Sequence, residues 1–122
     1  MNFSTIYHAA RALIRPLYEA AQGRSTHWST VRKRHLEKHP TCAVCGGKKL
    51  LNVHHIRPFH LFKKLELEPS NLITLCEKSE VLGGNCHLIF GHAGNWKRFV
   101  PHVVANAQML YPQIVQARAA DL

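Results

Sequence analysis

The sequence has no apolar run approaching the ~18 to 20 residues that cross a bilayer, so a membrane-spanning helix is not expected. Residues 1–14 lack the basic start, long apolar stretch and small-residue cleavage site of a secretory leader, so export by that route is not expected and a reducing, cytoplasmic setting is. There is no internal repeat and no low-complexity stretch. Negative charge is scarce: 7 Asp and Glu stand against 16 Lys and Arg, giving a net charge of +9. That balance favours a polyanionic partner through Coulomb attraction and counterion release, nucleic acid ahead of an anionic membrane surface. With 122 residues, 46% of them apolar, the chain reads as one globular domain, 1–122, small enough to gain from a cross-link such as a bound metal.

The excess charge is concentrated. Residues 11–38 carry seven basic and two acidic side chains and residues 48–64 five basic and none acidic, while the chain beyond 65 is close to neutral. Ser4 can cap a helix in which Ile6, Ala10, Leu13 and Leu17 recur at helical spacing, and Val103, Ala107, Leu110 and Ile114 repeat that spacing near the other end. Both stripes are expected to be buried, on the middle segment or on each other, since such stripes are far more often core than interface. Pro16 and Pro112 predict a kink or restart in each helix. A further helix is expected from Ser25 or Thr26, through Trp28, Val31 and Leu36, to His39 before Pro40. Arg32, Lys33, Arg34 and Lys38 form its outer face, placed to meet phosphates.

Cys42-Ala-Val-Cys45 has knuckle spacing and is followed by Gly46-Gly47, which allow a tight backbone turn around an ion. Cys76 and Cys86 supply a second pair, although the nine residues between them exceed the usual two to four and make residues 77–85 a bulging loop. Four thiols in a chain without an export signal fit a tetrahedral zinc site better than two disulfides, with four buried unligated cysteines as the alternative. A closed four-thiolate shell is structural, because it leaves no position for water or substrate.

Ten histidines are scattered along the chain. His8, His27, His35, His39, His60 and His102 read as surface or packing residues, whereas His54, His55, His87 and His92 flank the cysteine framework. Strands at Leu50–His54 and Leu72–Leu75 bring Cys45 to Cys76 and draw the His54-His55 pair toward Cys86-His87.

The string Cys42-x-x-Cys45, Val53-His54-His55-Ile56-Arg57-Pro58, Asn71-Leu72-Ile73-Thr74-Leu75-Cys76, Cys86-His87 resembles the HNH endonuclease motif of the ββα-metal nucleases, over residues 28–100. The resemblance implies an α+β fold, a small ββα-metal core with a structural zinc knuckle, between a helical extension at 1–27 and a C-terminal helix at 101–122. It implies a metal-dependent endonuclease acting on double-stranded DNA and leaving 5′-phosphate and 3′-hydroxyl ends. By resemblance His55 is the general base, Asn71 holds the loop that carries it, and His54 and His87 ligate a catalytic divalent metal.

The chemistry suits those positions independently: an imidazole accepts a proton from water near neutral pH, and a cation is needed beside the departing oxygen. His92 is a candidate third ligand, but five residues from His87 it lies off one face of a regular helix; a break at Gly91 and Gly94 would re-aim it, and the alternative is a phosphate contact or plain surface. Imidazole at position 54 favours Zn²⁺, Ni²⁺, Co²⁺ or Mn²⁺ over Mg²⁺. Arg57, Lys97 and Arg98 are candidate phosphate contacts, with Trp96 and Phe99 read as core anchors. The alternative function is a zinc-stabilised nucleic-acid-binding module without catalysis, which has no evident need for the His54, His55, Asn71 and His87 set.

Overall fold

Leu51–His55 and Leu72–Cys76 are rich in β-branched and large apolar residues and form two short strands, β1 and β2; the second is buried along its whole length. Leu50 has a φ of +52°, which breaks the extended run, so β1 begins at Leu51 and extends to His55, one residue later than the sequence pattern places it. The computed structural model describes residues 3–120, in the order α1 (Phe3–Ala21), α2 (Trp28–Lys38), β1, β2, a π-helical turn (His87–Gly91) and α3 (Val103–Ala120). Single 3₁₀ turns at Lys63–Leu65 and Pro69–Asn71 shape the loop between the strands. The expected Ser4 cap and the surroundings of His8 lie outside the described side chains.

The strands pair antiparallel with Leu51 opposite Cys76 and His55 opposite Leu72. Strand alternation therefore puts Leu51, Val53 and His55 on one face with Leu72, Thr74 and Cys76, and Asn52 and His54 on the other with Ile73 and Leu75. On the first face α2 packs Trp28, Val31 and Leu36 against Val53 and Leu72, and the Thr74 hydroxyl donates to the His39 carbonyl at 2.8 Å. The larger core cluster joins Ile73 and Leu75 to Val44, to all four cysteines and to Val103 and Ala107 of α3. This is a mixed fold of helices around a two-stranded antiparallel sheet, consistent with the ββα-metal arrangement expected from the sequence. Among the described residues no helix is long and apolar enough to cross a membrane.

The terminal helices part company with each other. In α3 the stripe Val103, Ala107, Leu110 and Ile114 packs on the core, and the helix runs through Pro112 without restarting. In α1 the expected burial does not occur: Ile6, Leu13 and Leu17 face solvent, Leu13 at 81% and Leu17 at 75% exposure, and no described α1 side chain joins either core cluster. The reason is electrostatic. The helix turns its polar face inward, with Arg11 paired to Glu77, whose carboxylate also accepts from Asn52 Nδ2 at 3.0 Å, and Arg15 3.9 Å from Glu19. α1 is also continuous through Pro16. α2 starts at Trp28, slightly later than read, because Ser25–His27 form a turn in which Ser25 Oγ accepts the His27 amide at 3.1 Å.

These packing differences set expected stabilities. Leu75 is fully buried, so Leu75→Ala should cost about 2–5 kcal/mol by urea unfolding, whereas Leu17→Ser on the open face of α1 should change stability by no more than about 0.5 kcal/mol. His35 is buried against His39 with Nε2 unpartnered, and burial pushes its pKa down to about 4, the His39 charge adding to the effect. The unfolded chain takes up this proton near pH ~6.5 and the folded one resists it, so stability should fall as pH drops from about 6.5 toward 4. Denaturant melts of His35→Leu should show a shallower acid limb; an unchanged limb would remove His35 as a contributor.

Candidate metal centre and active-site cleft

The knuckle is built by short backbone bonds: the Cys42 amide donates to the Gly47 carbonyl at 2.8 Å, and the Gly46 amide to the Cys42 carbonyl at 2.9 Å. Gly46 has a φ of +75°, the left-handed conformation that makes this turn possible. The Ala43 amide donates to the Thr74 carbonyl and fastens the knuckle to β2. The long interval to Cys86 closes on itself around Ser79, whose buried hydroxyl accepts the amides of Val81 and Leu82 while its own amide donates to the Gly84 carbonyl at 2.7 Å. The wide spacing therefore does not separate the thiols.

Cys42, Cys45, Cys76 and Cys86 are all buried, unpaired by disulfides, and their sulfurs lie within 4.8 Å of one another. Cys45 and Cys76 are 3.7 Å apart; a tetrahedral zinc thiolate with bonds of about 2.3 Å sets its sulfurs about 3.8 Å apart. The Cys42 thiol is pulled down to about 4, first by a hydrogen bond from Cys86, while Cys76 is pushed up to about 12 by burial and by the Cys42 charge. Cys86 is raised too, by the proton it shares with Cys42 and by burial. The Cys42 thiolate thus opposes ionisation of Cys76 and Cys86, a repulsion that a cation at the centre would offset. The donor set fits zinc.

A second group gathers on the other side of the sheet. His54 Nδ1 is 3.1 Å from His87 Nε2, which is 3.2 Å from His92 Nε2. The five-residue interval works because residues 87–91 wind as a π-helical turn, which brings i and i+5 nearly onto one face where an α-helix would splay them. Gly91 permits the approach, since a Cβ there would come within 3.1 Å of the His54 ring and of Leu75. The His92 Nδ1 lies 2.7 Å from the Arg98 carbonyl, which can only accept, so Nδ1 carries the proton and Nε2 presents its lone pair to the cluster. A single proton on His87 Nε2 cannot serve both neighbours well, which leaves a lone pair facing a lone pair. Burial, with neighbouring imidazoles adding, holds His54 down to about 2 and His87 to about 3, and lowers His92. Three neutral, converging nitrogens fit a divalent cation.

His55 points to the opposite face, its ring 4.5 Å from Trp28. Nε2 donates to the Glu66 carbonyl at 2.9 Å, which fixes the tautomer and leaves Nδ1 as acceptor, 3.3 Å from Arg24 Nη1. Burial lowers its pKa to about 4 against the raising effect of the Glu66 bond, so the ring is neutral at physiological pH. Asn71 clips the segment that follows: Oδ1 accepts the Arg57 amide at 2.9 Å, Nδ2 donates to the carbonyls of Arg57 and Leu65, and its own carbonyl accepts the Ile56 amide.

His54, His55, His87 and His92 line one cleft of about 700 Å³ between α1 and the body. Six cations line it as well, Arg11, Arg15, Arg24, Arg32, Lys97 and Arg98, against the single carboxylate of Glu19 among the described lining residues. Arg32 is half-buried and within 3.5 Å of Asn52 Oδ1, whereas Lys33 and Arg34 are exposed on α2 away from the cleft. Arg57 is exposed and sits over Phe62 at 5.4 Å, outside the cleft lining. Phe99 is half-buried against Phe62, but Trp96 is 53% exposed and lines the cleft, so it is not the core anchor expected of it.

Arg24 is the residue that sequence reasoning missed. It stacks over Phe59 at 4.2 Å and Trp28 at 5.5 Å, half-buried beside the acceptor nitrogen of His55. Its place in a turn gives it no periodic signal; the only hint was its membership of the basic 11–38 stretch. Arg11 and Arg15 were missed as well, and their one-turn spacing is the signal that could have found them.

A family model described as HNH endonuclease matches residues 42–78, covering the knuckle, both strands, His54, His55 and Asn71. The match ends before Cys86, His87 and His92, which the fold returns to the matched segment. No curated protein and no solved structure matches the chain. If the thiol cluster holds zinc, purified protein should contain about one tightly held zinc per chain; elemental analysis should show it retained in His87→Ala and lost with the fold in Cys42→Ser. A metal-free wild type of equal stability would refute the cage.

Proposed function

We propose, from the match of residues 42–78 to the HNH endonuclease family, that this protein is a metal-dependent endonuclease hydrolysing DNA phosphodiester bonds. The observation that carries the reading is the pairing, within one cation-lined cleft, of a neutral His55 whose Nδ1 is an acceptor facing the Arg24 guanidinium and a separate cluster of three neutral imidazoles. His54, His87 and His92 would hold the catalytic cation, whose charge beside the departing oxygen would stabilise the transition state. Their nitrogen donors favour Zn²⁺, Ni²⁺, Co²⁺ or Mn²⁺ over Mg²⁺.

His55 takes the proton of the attacking water on Nδ1. Its Nε2–H remains bonded to the Glu66 carbonyl, which holds the ring in place and stabilises the imidazolium as it forms. Arg24 contacts that same Nδ1 in the resting state; with a water and a phosphate in the cleft, its guanidinium turns to the non-bridging phosphate oxygens. Asn71 does no bond-breaking and keeps Ile56 and Arg57, and through them His55, in register. Lys97, Arg98 and Arg15 bind flanking phosphates, giving affinity and position without base readout.

The test offers both supercoiled plasmid and a single-stranded oligonucleotide with a panel of Mn²⁺, Ni²⁺, Co²⁺, Zn²⁺ and Mg²⁺. Wild type should cut; His55→Ala should lose at least about 100-fold in rate while keeping its fold, and Arg24→Ala should lose more than Arg24→Lys. A wild type that binds DNA yet cuts nothing with any metal would leave the non-catalytic zinc-stabilised module as the correct reading.

A further inference from the structure

The cleft contains an aromatic surface that hydrolysis itself does not use. Trp96 has its ring centroid 5.0 Å from His87 and 4.9 Å from His92, inclined at 71° and 58°, so neither imidazole lies flat on the indole. Trp28, the other tryptophan, is buried at 4% exposure, whereas Trp96 is left more than half in water beside the imidazole cluster. The opening around it is bounded on one side by α1, through Ala10, Ile14 and Tyr18, and its roughly 700 Å³ is the size of a pocket that encloses a drug-sized ligand. An exposed aromatic platform in a cleft lined by cations is the combination by which proteins hold unpaired strands, since every base offers a face for stacking.

We propose that the cleft takes an unpaired DNA strand, with the base next to the scissile phosphate stacked on Trp96. This rests on the endonuclease reading and deepens it by naming the state of the substrate: a single strand, or a locally opened one, in place of the intact duplex expected from the sequence. Arg24 and the imidazole cluster take the phosphate at the reacting position, and Lys97 and Arg98, adjacent to Trp96 in the chain, take the next one along the strand. Stacking on an indole discriminates little among bases, so the preference is for strand state rather than for sequence.

Both tryptophans line the cleft, so the contact at Trp96 is read as the part of the emission change that Trp96→Phe removes. Wild type, Trp96→Phe and Trp96→Ala are titrated, without added divalent metal, with an oligothymidylate and with a hairpin duplex of equal length. The single strand should quench wild-type emission and bind more tightly than the duplex. Trp96→Ala should weaken single-strand binding about tenfold and Trp96→Phe much less, with duplex binding unchanged in both and zinc content equal to wild type. Tighter binding of duplex without quenching, or single-strand affinity unaltered in Trp96→Ala, overturns the proposal. Quenching by the single strand in a protein that cuts nothing supports the stacking subsite and sinks only the endonuclease reading; single-strand cleavage by Trp96→Ala at the wild-type rate under subsaturating substrate sinks only this inference.

Discussion

Two antiparallel strands of five residues each are too short to persist by their own ladder, and the convergence of four thiols at one end of the pair is what holds them. Cys76 closes β2, and the knuckle of Cys42 and Cys45 is bonded to β2 through the Ala43 amide. Cys86 draws the following segment back, and with it the turn that carries His87 and His92. The larger hydrophobic core is assembled around these sulfurs rather than beside them. The same convergence thus supports the core and delivers the imidazoles of the cleft, although neither the strands nor the loops could do so alone.

The strand pair then divides labour between two adjacent histidines. Alternation sends His54 toward the π-helical turn and His55 toward Trp28, so each ring enters a different electrostatic setting. His54 meets two other imidazoles and is kept neutral by burial among them. His55 meets a carbonyl on one nitrogen and a guanidinium on the other, which sets its tautomer and leaves a single acceptor site. Identical side chains acquire different capacities from their surroundings alone.

Much of this was legible in the residues. The spacing of Val103, Ala107, Leu110 and Ile114 led to a packed helix because that face has the sheet to cover. The stripe in α1 has the same periodicity and is exposed, because periodicity records which residues share a face and says nothing about which face docks; the pair of Arg11 with Glu77 decided that through charge. The π-helical turn left no signature, since one turn is too short to show a period, and only the five-residue interval between two histidines hinted at it. Arg24 depends on contacts with segments distant in the chain, which a local pattern does not encode, whereas Trp96 meets rings close to it in sequence that only the irregular turn before it brings together.

Placing two histidines in tandem on a strand exposes the protein to a particular folding error. A slip of one residue in the pairing of β1 with β2 would exchange the two rings, so that a chain with every side chain chemically intact would present each imidazole to the wrong neighbours. The slip would also displace Leu51 from its place opposite Cys76, at the very end of the ladder that the sulfur cluster anchors. A metal held at the thiols would therefore favour the correct strand alignment, because the sulfur cluster marks the end of the ladder from which the places of both imidazoles are counted.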